Sequence, residues 1–517
     1  MKFTIIKNTG ILMLCGALVF VSGCKKFLEE QDPSNLTNES FFTIPEHAES
    51  AIAATYATTR FYGDGAGIFS SNWQLLEALS GTTTTETAQN SDLNNLYSLS
   101  FDGNNGHIVN WWNGLYRVIG QANLVLEKVP GITPMDDAQK KRILGEAKFL
   151  RSWAYFHAVR LWGDIPLITT PQTATSEDFT PARKPQEEVY QLIVQDLLDA
   201  EAAGLPWMDA TGRVSTAAVK SQLAKVYLTM AGFPLSKGAS HYKLAADKAY
   251  EVVQYANANP ASIALFKTYA EVHSVTTENR LEHIFELQYF ADVAGNPMEN
   301  MLPNFKPATA YGASGTGSTV PTLSFFQSFE PGDVRAQNQQ GYFYTSYFRD
   351  GSGAAFDLGA PYIFKHFNVV AFGAPGVAGT RRNDLNVPMI RYAEVLLIYA
   401  EAKNELGGPE ATAYAAFKQI RDRAQLATPA VGTYSQASFR EAIWRERWYE
   451  LCFEAITWYD MLRLRKVFNE TTKGFDNFVG HINKSSNQPL QEKHLLLPLG
   501  VQEMLNNPNL KPQNKGY

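Results

Sequence analysis

Three glutamates, Glu446, Glu450 and Glu454, recur every four residues in "RERWYELCFEAITWYDMLRL". On a helix that spacing stacks the carboxyls along one face, close enough to share protons as acid/base pairs do. A glycosidase, however, holds its two carboxylates across a substrate cleft, roughly 5 to 10 Å apart, and neighbours on one helix do not straddle a substrate. Arg445 and Arg447 share the segment, Ser438 and Glu441 read as a capping box, and Trp444, Trp448, Leu451, Ala455, Tyr459 and Leu462 read as a core face. The expectation is one helix carrying a structural ion network, with no catalytic residue.

Other reactive patterns are missing from the sequence. There is no Gly-x-Ser-x-Gly, His-Glu-x-x-His, phosphate-binding Gly-x-x-x-x-Gly-Lys or Cys-x-x-Cys. The nine histidines are scattered, and Asp102-Gly103-Asn104-Asn105-Gly106 has the composition of a turn. No metal, cofactor or enzymatic activity is expected. Cys452, in a Trp- and Leu-rich stretch, reads as a small buried apolar group. The net charge of −6 disfavours nucleic acid as a partner.

Binding chemistry is better represented. A sugar ring presents an apolar C–H face and a rim of hydroxyls, so its receptor needs flat aromatics and Asn, Asp, Gln or Arg. Trp111, Trp112, Trp153, Trp162, Trp444, Trp448 and Trp458 fall at helical core spacing, and Trp207, directly after Pro206, reads as packing. Trp73 follows Asn72 and precedes a Thr-, Ser- and Asn-rich stretch, while "GYFYTSYFRDG" gathers five aromatics between glycines. A strand there sends about half of its rings inward. The predicted platform is Trp73 with Tyr344 or Tyr347 as second stacker, and Asn72 and Arg349 to bond hydroxyls or a peptide's carboxylate.

The elements that must carry this platform are mostly helices. Val219, Leu223, Val226 and Met230 mark one face of a helix stopped by Gly232 and Pro234; Tyr242, Ala245, Ala249, Val252 and Ala256 mark the next. "VPMIRYAEVLLIYAEAKNELGG" and "PEATAYAAFKQIRDRAQL" repeat the theme. Further helices are predicted near 111–129, 136–162 and 186–203. Two helices joined by a tight turn resemble a tetratricopeptide unit. Residues 291–390 are glycine-rich without a long amphipathic run and read as a loop-rich insert. The expected fold class is mainly α: tetratricopeptide-like helix pairs with irregular inserts and a few short strands.

The N-terminus reads as an export signal. Lys2 and Lys7 precede an apolar run over 11–21, about a dozen residues, where a membrane-spanning helix needs roughly 20. Val21-Ser22-Gly23-Cys24 resembles the lipobox of bacterial lipoproteins, which makes 1–23 a signal peptide and Cys24 the lipid-attachment site.

Taken in order, several motifs resemble the SusD/RagB family of outer-membrane nutrient-binding lipoproteins. They are Cys24 followed by Phe27-Leu28-Glu29 and Pro33, "LWGDIPLITT", "GRVSTAAVKSQLAKVYL", "MIRYAEVLLIYAEAKNELG", "ERWYELCFEAITWYDMLRL" and the terminal "NNPNLKPQNKGY". The chain departs from the family pattern at Ala455, usually Gly, at Thr457, usually Arg, and at Lys515, usually Pro. The resemblance spans 24–517. It implies a binding protein at the cell outer membrane, lipid-anchored and facing the exterior, that takes an oligosaccharide and delivers it to a TonB-dependent transporter. Peptide capture by the same scaffold is the alternative, and a lipoprotein glycoside hydrolase a more distant one.

Overall fold

Apolar periodicity of 3.6 residues builds the frame. The computed structural model describes residues 41–65, 70–87, 90–173, 175–298, 317–348, 355–366 and 384–517. Its principal helices are α1 (Pro45–Thr58), α2 (Gln74–Ser80), α3 (Gly106–Lys128), α4 (Asp137–Trp162), α5 (Gln186–Glu201), α6 (Thr216–Ala231), α7 (Ala239–Ala258), α8 (Tyr392–Gly407), α9 (Ala411–Arg423), α10 (Gln436–Glu450), α11 (Thr457–Leu464) and α12 (Val501–Asn506). α4 packs on α5, α6 on α7 and α8 on α9, and successive pairs lie side by side through α5 on α6, α7 on α8 and α8 on α10. This is the mainly helical, repeat-like fold expected.

Local causes are plain in α6 and α7. Ser215 Oγ accepts the Ala218 N–H at 3.2 Å and starts α6. Val219, Leu223, Val226 and Met230 are buried, as are Ala245, Ala249 and Ala256 of α7, whose small side chains let the helices approach closely. Gly145 of α4 likewise lets the end of α5 come close: a Cβ there would lie 3.6 Å from Ala200 Cα and 2.4 Å from the Cβ of Ala203, just past the helix.

Two predicted helices are shorter than expected. "VPMIR" is a strand, β4 (Val387–Arg391), antiparallel to β1 (His283–Leu287). Pro388 lacks an N–H, and all of β4 except Met389 is buried, which suits a strand covered on both faces. Of the six two-stranded pairs among the described residues, a second, β2 (Phe343–Phe348) with β3 (Ala355–Ile363), lies within the 291–390 region. The final helix does not run through to Leu462. It ends at Glu450, passes through left-handed Phe453 (φ 64°) and Ala455 (φ 55°), and restarts as α11. Its cap is Ser435, paired reciprocally with Ser438, rather than Ser438 with Glu441.

The chain's last residues close on α4. Trp162 Nε1 donates to Pro498 O at 3.0 Å, and Asn514 Nδ2 donates to Trp162 O at 3.0 Å and Leu497 O at 2.7 Å. Gln513 brackets Leu499, accepting its N–H at 2.8 Å and donating to its carbonyl at 2.9 Å. Lys515, where the family pattern has proline, is exposed and disturbs none of this.

Candidate functional site

Glu446, Glu450 and Glu454 are buried together, although Glu454 sits in the turn after α10 rather than on the helix. Arg335 lies 2.7 Å from Glu446 and 3.3 Å from Glu450; Arg391 lies 3.1 Å from Glu450 and 2.5 Å from Glu454; Arg423 lies 2.7 Å from Glu450. Lys365 pairs with Glu454, and Glu282 with both Arg391 and Arg423. Burial by itself would raise the Glu450 and Glu454 carboxyls, but the guanidinium groups of Arg423, Arg391 and Arg335 on the first, and Arg391 with Lys365 on the second, hold both down to about 2. Buried and ion-paired throughout, this cluster is the structural ion network that the segment predicts. Its cationic members come from scattered segments with no shared spacing, so sequence reasoning missed them.

The predicted platform is corrected at three positions. Trp73 is 0% exposed; its Nε1 donates to Phe453 O at 3.2 Å and its ring meets His366 edge-on at 5.7 Å. Asn72 is buried, donating from Nδ2 to Phe61 O at 2.7 Å and accepting from Asn110 Nδ2 at 3.3 Å. Tyr344 is 2% exposed, its ring 5.6 Å from that of Tyr362. Tyr342, Phe343 and Tyr344 are buried in succession, so the expected in-and-out alternation fails because both faces of the strand's start are covered. A ring without free surface has nothing to stack on a sugar. The side chain of Tyr347, and the whole of Arg349 and Cys24, lie outside the described residues.

Aromatic and amide groups meet in the open elsewhere. A groove of about 770 Å³ runs along α3, walled by Gln172, by Phe179, Thr180 and Pro181, and by α12. Trp112 and Tyr116 form its floor, with ring centroids 4.8 Å apart. The Tyr116 hydroxyl donates to Pro166 O at 2.9 Å, and Trp112 hydrogen-bonds to Glu503, whose carboxyl is raised by burial. Phe179 stands 57% exposed at the wall. Asn113 and Arg117, one helical turn apart and exposed, make no side-chain hydrogen bond or ion pair among the described residues. The groove thus offers an apolar ring, a free amide and a free guanidinium in a volume suited to a small ligand. Trp112 was placed by helical spacing in the core, and it does pack there edge-on to Trp162 at 5.2 Å. Phe179 and Asn113 come from separate elements, and nothing in their spacing announces the groove.

Other expectations hold. Trp207 stacks on Tyr255 at 3.9 Å, Cys452 is buried with its thiol pushed up to about 12 by desolvation, and Asp102 closes a turn by accepting the Asn104 N–H at 2.8 Å. Among the described residues no helix is long and apolar enough to cross a membrane.

Two family models match the chain: the SusD family over 332–517, and "Starch-binding associating with outer membrane" over 26–228. A SusD superfamily protein of Parabacteroides distasonis is 33% identical, with a TM-score of 0.83 over 93% of this chain and 100% of its own. A SusD-like protein of Formosa agariphila is 29% identical over 97% of this chain and 98% of its own. A structure described as a laminarin binding SusD-like protein shares the fold at 23% identity, with a TM-score of 0.69 over 92% of this chain and 100% of its own.

Proposed function

The chain belongs to the SusD family, and on that premise we propose that it is an outer-membrane lipoprotein that captures an oligosaccharide and hands it to a TonB-dependent transporter. Cys24 would carry the lipid and place the protein on the outer face of the cell. The observation that carries the binding reading is the groove over Trp112 and Tyr116, where exposed Phe179 lines the wall and the free amide of Asn113 lies on the same groove. The starch-binding description of one family model and the laminarin-binding relative of the same fold make neutral glucans the first ligands to try. The mature chain is titrated with maltoheptaose, laminarihexaose and a peptide library by calorimetry. Saturable glucan binding, weakened by about 1 to 3 kcal/mol in Phe179→Ala with an unchanged thermal midpoint, supports the reading. Binding of peptides alone, or glucan affinity indifferent to Phe179 and Asn113, overturns it.

A further inference from the structure

Where α4 ends, a second recess of about 600 Å³ opens between Tyr190 of α5, Phe233 just past α6, the end of α11 and residues 491–496 with Lys515 and Gly516. It is separate from the α3 groove, and its charge is unusual for a chain of net charge −6. Its lining holds Arg160, Arg463, Arg465, Lys493 and Lys515 against a single carboxylate, Glu492. Glu492 is already engaged by Lys515 at 3.2 Å. Arg463 is likewise saturated, by Glu401 at 2.8 Å and Asp460 at 2.7 Å.

Three cations are left over. The Arg160 guanidinium is clamped between two rings, 3.7 Å from the centroid of Phe156 and 3.4 Å from that of Tyr459. Its Nε donates to Phe156 O at 2.8 Å, and its Nη2 approaches His157 Nδ1 at 3.5 Å. Its Nη1 has no hydrogen-bond partner, and Arg160 has no ion-pair partner, among the described residues. His157 adds no further positive charge there: burial, with Arg160 and Lys225 beside it, keeps its imidazole neutral. Arg465, the left-handed residue that ends α11, lies 5.4 Å from the Phe233 ring without an ion pair among the described residues, and Lys493 lies 5.3 Å from the Tyr517 ring in the same condition. Stacking fixes the plane of a guanidinium and leaves its edge for an acceptor; carboxylate and tetrahedral oxyanions match that edge, and carboxylate does so as a planar, bidentate partner. Phe233, 48% exposed, supplies an apolar surface next to it.

We propose that this recess binds a small ring-borne anion, a carboxylate carried on a sugar or aryl ring, with Arg465 and Arg160 pairing the charge and Phe233 covering the ring. The site is independent of the glucan reading, because no residue of the α3 groove takes part. The mature chain is titrated by calorimetry and by chemical-shift mapping with digalacturonate, phenylacetate, sodium sulfate and neutral galactobiose. Saturable binding of digalacturonate or phenylacetate, absent for galactobiose, is expected; whichever of the two binds assigns the ring as sugar or aryl. Arg465→Gln should weaken it about tenfold, Arg465→Lys less, with the thermal midpoint and any glucan affinity at the α3 groove unchanged. A response to sulfate alone, binding of galactobiose equal to that of digalacturonate, or affinity unaltered in both Arg465→Gln and Lys493→Gln overturns the proposal.

Discussion

The indole N–H of Trp73 donates to the carbonyl of Phe453 at 3.2 Å across a separation of 380 residues. That carbonyl also meets His366 Nε2 at 2.6 Å, Glu77 accepts the Ala455 N–H at 2.6 Å, and Lys365 donates to Glu450 O and Cys452 O at 2.8 and 2.9 Å. The turn between α10 and α11 breaks the helical ladder, and side chains from distant segments satisfy its backbone.

Trp73→Ala should therefore cost about 3 to 5 kcal/mol, the range for deleting a fully buried large ring. Denaturant titration reads that loss, while ligand affinity measured on the folded fraction should stay at the parent value. A fall in affinity with unchanged stability would return Trp73 to the binding surface.

Ala455 holds a left-handed backbone, φ 55°, at the position where the family pattern has glycine. A Cβ there is strained, so Ala455→Gly should raise stability by about 1 kcal/mol, seen as a higher denaturation midpoint at unchanged slope. A lower midpoint would mean that the buried methyl contributes more than the strain costs.

Glu286 on β1 is buried, and desolvation pushes its carboxyl up to about 8, while burial keeps neighbouring His283 neutral, with its imidazole lowered to about 4. Native Glu286 thus keeps a proton that the unfolded chain releases near 4.5, so its contribution is present at acidic pH and is lost as pH rises through about 8. His283 acts in the opposite sense below 6.5, and Glu77 and Glu278, raised by burial to about 7, act in the same sense as Glu286 only up to there, which leaves the interval from about 7 to 8 to Glu286. Glu286→Gln should flatten the decline in stability over that interval. An equal slope in variant and parent, measured by denaturant melts at several pH values, would show that another group sets it.

Glu450 and Glu454 work in the other direction, being held at about 2 against 4.5 in the unfolded chain. Their contribution is full above about 4.5 and is lost as pH falls toward 2. Arg391→Met takes one partner each from Glu282, Glu450 and Glu454, leaving excess negative charge buried among Arg335, Arg423 and Lys365, and should cost about 3 to 5 kcal/mol at neutral pH. Acid unfolding followed by circular dichroism should also begin at a higher pH in the variant; coincident acid curves would remove the cluster from that role.

Helices were legible because the core of each is written locally. Val219, Leu223, Val226 and Met230 repeat at helical spacing and are buried, and the same spacing placed Trp111, Trp153 and Trp458 in the core. Trp73 was misjudged because Thr- and Asn-rich neighbours suggest exposure, whereas its burial depends on Phe453 and His366 far along the chain. The break after Glu450 was hidden since Leu451, Ala455, Tyr459 and Leu462 keep the apolar period through a turn that is not helical. The glycine that the family pattern places at 455 was the available hint. The α3 groove and the cationic recess each combine residues from several elements, and periodicity within one element carries no information about such a meeting.

The strap formed by residues 497–514 alters what kind of repeat array this is. In an open solenoid each unit touches only its neighbours, and an end unit can be removed without disturbing the others. Here Asn514 and Leu497 reach the end of α4, the first long helix of the stacked pairs, so the array is fastened back on its own beginning. A chain emerging N-terminus first cannot complete α4's surroundings until residues 497–514 have arrived. Closure of the array waits on them, and their deletion would be felt more than 300 residues upstream.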